Sequence, residues 1–294
     1  MGEKTNFSRF LKPKDAREFD KNLDILIALL PTAIVACVYF GAHAMFMMLT
    51  CMGVSALAAF LAGKLLAVEE DSLNLSAAIA GILVAMTMPS GFSIPAAAVC
   101  AAAGVIVPRM MFGGNGCEIV SPVAFGAIMS FLCFPENFYY NEAFTNLHTF
   151  YVPFETKFTL KQLIFGAHAG AIGETAAVFL VLGAVYLVFR KVITPTIPVF
   201  AVLFTALFSF LFSMDILSSV LSGGTLLAAI FILPERNLAP HGFFGKVAYS
   251  AVFSFLTVII RKYAAAPEGV YFAVLTVELI RPLFDVIPDI RRKK

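Results

Sequence analysis

Long apolar runs, separated by short polar or proline-bearing breaks, fill this chain from Ile25 to Ile287. They are Ile25–Tyr39, Met45–Ala67, Leu75–Met88, Ile94–Val107, Ile119–Phe134, Thr175–Phe189, Ile197–Met214, Val220–Leu233, Lys246–Ile260 and Val270–Ile287. A helix that crosses a bilayer needs about 20 apolar residues, and about 17 at the least. The pattern predicts an all-α integral membrane protein of about ten spans, several of them short for a full crossing. Short runs that end on proline or glycine read as broken helices. Their irregular backbone persists at membrane depth only where protein or a polar cavity satisfies it. Pro89 to Pro95 and Pro234 to Pro240 are the clearest breaks.

These two breaks belong to an internal repeat. Leu75-Ser76 leads through small residues and aliphatics to Pro89 and Pro95, and Leu221-Ser222 leads in the same way to Pro234 and Pro240. An apolar span follows each, Ala96–Val107 in one case and Val247–Ile260 in the other. One transmembrane domain over 23–287 is therefore expected, with a first five-span repeat over 23–134 and a second over 163–287. The aromatic and polar segment 135–162 between them is predicted as an outer interfacial loop or helix. An odd number of spans per half inverts one half relative to the other. Such inverted repeats place binding sites near the midplane, where broken helices meet.

Composition sharpens the class. Of the 294 residues 60% are hydrophobic and 14% charged, whereas a soluble domain carries about a quarter charged residues. So few polar groups cannot cover a water-facing surface, and the mean hydropathy of +0.88 agrees. The polar segment 1–22 carries Lys4, Arg9, Lys12, Lys14, Arg17 and Lys21, too long and too charged a lead to be a cleavable signal peptide. By the positive-inside rule that segment and the basic tail 288–294 are cytoplasmic, which requires an even number of crossings. Arg109, Arg190, Lys191, Arg236 and Lys246 then fall on inner loops, whereas Arg261 and Lys262 fall outside, against the rule.

Candidate chemistry is sparse. Cys37, Cys51, Cys100, Cys117 and Cys133 show no CxxC spacing, which argues against a disulfide framework or a metal site held by this chain alone. Cys117 would act as a ligand only with residues of a partner. His43, His148, His168 and His241 are isolated and read as hydrogen-bonding groups at helix ends or loops. Glu174, Asp215, Glu278, Arg281 and Asp285 lie in or at the ends of spans, where ionisable groups face the interior or water. Glu174, Glu278 and Asp285 are the candidates for an ion site or relay. Glu278 and Arg281, three apart, are expected to pair on one helix face. Glu174, opening a span, is expected to meet the positive end of the helix dipole. Ser222-Gly223-Gly224-Thr225 has two readings: close packing of helices through small residues, or a hydroxyl left clear for attachment of something large.

The order of motifs in the second half is specific. Gly170-Ala171-Ile172-Gly173-Glu174-Thr175 precedes Ser222-Gly223-Gly224-Thr225, and Glu268-Gly269-Val270-Tyr271-Phe272-Ala273-Val274-Leu275 and Pro282-Leu283-Phe284-Asp285 follow. With Gly113-Gly114-Asn115-Gly116 and Pro122 in the first half, this order resembles the D subunit of the Rnf electron-transport complex. It is similar also to the B subunit of the sodium-pumping NADH:quinone oxidoreductase. The resemblance implies about ten spans in two inverted repeats, of the urea-transporter type. It further implies FMN esterified through its phosphate to Thr225, with Ser222, Gly223 and Gly224 clearing access for a flavin transferase. A second, non-covalent flavin such as riboflavin stays an open alternative. Where the family commonly carries Thr-Asp-Pro-Val-Thr, this chain reads Leu233-Pro234-Glu235-Arg236-Asn237-Leu238-Ala239-Pro240. Ser121-Pro122 replaces the family's Asn-Pro, and Cys117-Glu118 is unusual. These departures bear on any second flavin site and any ion site.

The expected function is electron transfer within an Rnf-type ferredoxin:NAD oxidoreductase of a bacterial or archaeal inner membrane, with coupled sodium or proton movement. Its partners would be the A, B, C, E and G subunits, a flavin transferase for maturation, ferredoxin and NAD through the complex, and membrane lipid, but no nucleic acid. A permease for a small polar solute uses the same inverted-repeat plan. A structural subunit that has lost its flavin is the third reading.

Overall fold

The computed structural model describes residues 16–66, 75–114, 116–141, 148–150, 170–174, 177–264 and 268–286. Most of the predicted cytoplasmic segment, the basic tail, much of the outer linker, Asn115, His168 and Thr175 lie outside the described residues. The first half holds α1 (Ala16–Leu65), α2 (Leu75–Met86), α3 (Ile94–Ile106) and α4 (Pro122–Cys133). The second holds α5 (Ala177–Phe189), α6 (Thr196–Leu211), α7 (Ile216–Leu221) and α8 (Thr225–Leu227), which runs into a π turn at Ala228–Ile232. It closes with α9 (Phe243–Ala264), α10 (Gly269–Leu279) and α11 (Arg281–Asp285). Between the halves, where a loop or helix was expected, β1 (Tyr139–Asn141) pairs antiparallel with β2 (His148–Phe150). This hairpin departs from an all-helical description of the chain.

The membrane assignment rests on which side chains face outward. On α6, Val199, Leu203, Leu207 and Phe210 are between 45% and 69% exposed, at spacings of three and four that make one continuous stripe. In water such a face would be a liability; against lipid it costs nothing. The opposite face carries Ala201, Thr205 and Ser209, all buried. Thr205 Oγ1 donates to Ser254 Oγ of α9 at 3.0 Å, and Ser254 Oγ donates back to the Ala201 carbonyl at 2.9 Å. Small hydroxyl residues are what join helices where lipid offers no hydrophobic drive between them.

Three helical stretches among the described residues are long and apolar enough to cross a membrane: Phe19–Leu65, Ile94–Phe112 and Phe243–Ala264. α2, α4, α5, α6 and α10 are apolar but shorter. The 12 residues of α2 extend about 18 Å at 1.5 Å per residue, well short of a hydrocarbon core of about 30 Å. Irregular chain must complete such crossings.

Four boundaries differ from the sequence expectation or refine it. The first two expected spans are two helices that meet at a kink: Gly41, inside the gap expected between Tyr39 and Met45, adopts φ 74 and ψ −164, a conformation glycine reaches without steric cost. The break at Pro89–Pro95 is as expected: α2 stops at Met86, and Pro95 falls in the first turn of α3, where its missing N–H costs no helical bond. The span expected over Val220–Leu233 is instead split, because Ser222–Gly224 leaves the helical path. The span expected over Val270–Ile287 divides at Ile280, at φ −92 and ψ 6, just ahead of Pro282.

Candidate functional site

Gly223 and Gly224 both have positive φ, 66° and 72°. This left-handed backbone is costly for any residue with a Cβ, so the Ser-Gly-Gly-Thr cluster is a turn and not a helix-packing patch. Space forbids larger residues too. A Cβ on Gly223 would collide with the Arg261 guanidinium, and one on Gly224 with the Tyr271 hydroxyl. Both the backbone and the packing therefore require glycine at these two positions.

Arg261, 2% exposed at the end of α9, fills the space that Gly223 leaves. Its guanidinium donates to the Ser219 carbonyl at 2.7 Å, to the Ser222 carbonyl at 3.2 Å and to the Gly223 carbonyl. These are carbonyls at the end of α7, and a cation is the complement such a helix terminus favours. Thr225 Oγ1 donates to the same Ser219 carbonyl at 2.9 Å. Hydroxyl and guanidinium therefore share one acceptor. From the other side Glu174 Oε2 accepts the Gly223 N–H at 3.1 Å and the Ala171 N–H at 3.3 Å. Glu174 thereby bridges two distant segments of the chain.

The turn that carries Glu174 is itself pinned to the other broken helix. Ile172 N–H donates to the Met88 carbonyl at 3.0 Å and Gly173 N–H to the Met86 carbonyl at 2.7 Å, while Pro89 and Ala171 form an isolated β-bridge. Backbone groups freed by the end of α2 are thus satisfied by the Gly-Ala-Ile-Gly-Glu segment. In a bilayer such groups must find partners within protein. Gly173 is required because a Cβ there would strike Met86.

Glu278 and Asp285 lie apart from this turn, in a second polar cluster. The expected Glu278–Arg281 pair is not what forms: Glu278 Oε2 accepts the Ser121 N–H at 2.6 Å. Arg281 instead faces Asp285 at 3.5 Å and donates to the Asn237 carbonyl. The reason is the division at Ile280, which removes the helical register between positions 278 and 281. Asp285 also accepts the His241 N–H at 2.9 Å. Nearby, Arg109 and Glu118 form a wholly buried ion pair at 3.6 Å. Both line a cavity of about 340 Å³ together with Lys21, Ser76, Glu235 and Arg236. His43, in the first turn after the Gly41 kink, meets the hydrogen-bonding role expected of it at a helix end, its Nδ1 lying 2.8 Å from the Ser90 carbonyl.

The structure therefore gathers Glu174, Ser222, Gly223, Gly224 and Thr225 into one site and adds two residues that motif reading missed, Arg261 and Tyr271. For Arg261 a signal was present. On the expected topology its charge falls outside, against the positive-inside rule, and the side chain is buried and holds a turn.

Apolar helices whose broken ends are tied to one another within the fold mark a helical membrane protein. The chain belongs to the NQR2, RnfD, RnfE family, whose model matches residues 14–292. It is 26% identical over 282 residues to the D subunit of the Na+-translocating ferredoxin:NAD+ oxidoreductase complex of Acetobacterium woodii, covering 89% of this chain and 86% of that protein. It is 23% identical over 291 residues to the D subunit of the proton-translocating ferredoxin:NAD+ oxidoreductase complex of Clostridium ljungdahlii, covering 89% and 87%. The B subunit of the Na+-translocating NADH-quinone reductase of Neisseria meningitidis is 24% identical over 261 residues, covering 77% of this chain and 63% of that protein.

Proposed function

We propose that this chain is the D-type membrane subunit of an Rnf-type ferredoxin:NAD+ oxidoreductase complex, that Thr225 carries FMN as a phosphoester, and that the subunit takes part in redox-coupled sodium or proton translocation. The observation that carries this reading is the Thr225 hydroxyl, set one shared carbonyl from the Arg261 guanidinium at a turn of two left-handed glycines. FMN, when bound, supplies the electron-transfer chemistry. Arg261 is the group of this chain that would meet the charge of its phosphate, since a guanidinium matches phosphate oxygens in geometry and charge. Glu174 fixes the backbone of Gly223 beside it. The donor set fits a phosphoester. The cavity lined by Arg109 and Glu235 is the space available for a second, non-covalent flavin such as riboflavin, at a volume within the range of small-molecule sites.

A specific observation favours a second reading, the structural subunit without flavin: Thr225 is 0% exposed and its hydroxyl proton is committed to a carbonyl. Attachment requires the Ser222–Gly224 turn to move aside. The two readings separate in one experiment. Chain co-produced with a flavin transferase and denatured in SDS should show in-gel flavin fluorescence, because a phosphoester survives unfolding, and Thr225→Val should abolish it. A dark wild-type band supports the flavin-free subunit or the permease instead.

In this reading the two halves are inverted repeats, both termini are cytoplasmic, and the A, B, C, E and G subunits, ferredoxin and NAD are reached through the complex. Native cysteines test the orientation. Cys117 and Cys133 are both exposed and bracket α4. A membrane-impermeant thiol reagent should label Cys133 in intact cells and Cys117 only in inverted vesicles. Labelling of both from one side contradicts the orientation.

A further inference from the structure

Three carboxylates away from the Thr225 turn meet behind the cavity wall. Glu118 and Glu235 line the cavity, and Glu278 lies deeper, 2% exposed. Ser121 joins them. Its backbone N–H donates to Glu278 Oε2 at 2.6 Å, its hydroxyl oxygen accepts the Val123 N–H as the cap of α4, and it lies near enough to Glu235 to act on that carboxyl.

The charged groups around this cluster come from every element packed on it. The chain after α3 brings Arg109, paired with Glu118. The second break brings Arg236 at the cavity and Asn237, whose Nδ2 donates to Glu118 Oε2 at 3.2 Å. α1 brings Lys21 to the cavity, and α9 brings Tyr249. Arg281 is engaged with Asp285 and the Asn237 carbonyl, and the exposed His241 also leans on Asp285. Arg109 is the cation that acts on Glu235. It is paired with Glu118 and also acts on Glu235, in a space where each extra negative charge is costly. Among the buried polar atoms without a hydrogen-bond partner in the described residues are Glu278 Oε1 and the Tyr249 hydroxyl. That hydroxyl is within electrostatic reach of both Glu235 and Glu278. An ionised carboxylate only accepts hydrogen bonds; a protonated one also donates, and the Tyr249 oxygen has an acceptor lone pair to receive it.

We propose that Glu118, Glu235 and Glu278 form a binding site for one proton, loaded from the cavity at Glu235 and shared inward through Ser121. Loading takes a proton from hydronium in the cavity, leaves water and converts one carboxylate to the acid, with nothing oxidised or reduced. The site stands whether or not Thr225 carries a flavin. Glu235 lies between the helical spans, and burial, with Glu118 beside it, pushes its carboxyl up to about 8. A folded state that holds this proton when the unfolded chain releases it loses stability as pH rises from the usual carboxylate range through about 8.

Infrared titration of the full chain in lipid tests the site, with Glu235→Gln and Glu278→Gln beside the wild type. The wild type should show the carbonyl band of a neutral carboxylic acid at neutral pH. That band should vanish as pH is raised through about 8, be absent in Glu235→Gln and be displaced in Glu278→Gln. Melting temperature should fall over the same interval in the wild type and stay level in Glu235→Gln. If Glu235→Gln does not fold, the shift of the band in Glu278→Gln decides. No titrating band in the wild type overturns the proposal, as does a band unchanged in whichever variants fold. So does a band that sodium abolishes at constant pH, which would make the occupant a metal cation.

Discussion

Arg261→Leu is expected to destabilise the folded chain by about 3–5 kcal/mol, the usual consequence of removing one partner from a buried charged arrangement. The guanidinium is buried and donates to the carbonyls of Ser219, Ser222 and Gly223, groups that no other described donor replaces except Thr225. Its loss also strips Glu174, 8% exposed, of the buried cation that stabilises its charge. Thermal unfolding of the purified chain in detergent measures the effect. The double variant Glu174→Gln with Arg261→Leu should recover part of the loss, because the uncompensated carboxylate is gone. A wild-type melting temperature in Arg261→Leu would mean that the turn does not depend on this side chain.

Gly224→Val should cost nearly as much by a different route. A left-handed backbone costs a residue with a Cβ about 1–2 kcal/mol, and overfilling a packed space adds about 1–3 kcal/mol. The space at Gly224 belongs to the Tyr271 ring and hydroxyl. Gly224→Ala combined with Tyr271→Phe should therefore be more stable than Gly224→Ala alone, since the colliding oxygen is removed while the backbone term remains. Equal stability of those two variants would place the whole cost in the backbone. Any flavin measurement on glycine variants has to be normalised to folded protein, because folding and attachment are both affected.

The sequence made the proline breaks legible, because a ring that lacks a donor and collides with the preceding turn has few places in a helix. It also made the membrane class legible, through runs too apolar for water. The break at Gly41 was legible as a gap between the runs Ile25–Tyr39 and Met45–Ala67, though not the residue that makes it, because glycine is common within membrane helices. The same ambiguity hid the turn at Gly223 and Gly224, whose positive φ depends on Arg261 and Tyr271 from distant helices. The Glu278–Arg281 expectation failed although its correction was available. Pro282 disfavours a helical residue before it, and the helix indeed divides at Ile280. The cluster of Glu118, Glu235 and Glu278 is a tertiary fact, assembled by Ser121 from segments that no spacing rule connects.

The site around Thr225 gives the family membership a chemical focus: a hydroxyl and a guanidinium on one carbonyl, at a turn only glycine can make. The most direct measurement is the mass of the peptide containing Thr225, from chain purified after co-production with a flavin transferase. The account predicts that peptide heavier by FMN less one water, with fragmentation placing the addition on Thr225. An unmodified Thr225 peptide in chain that is otherwise folded, or flavin found on another residue, would contradict it.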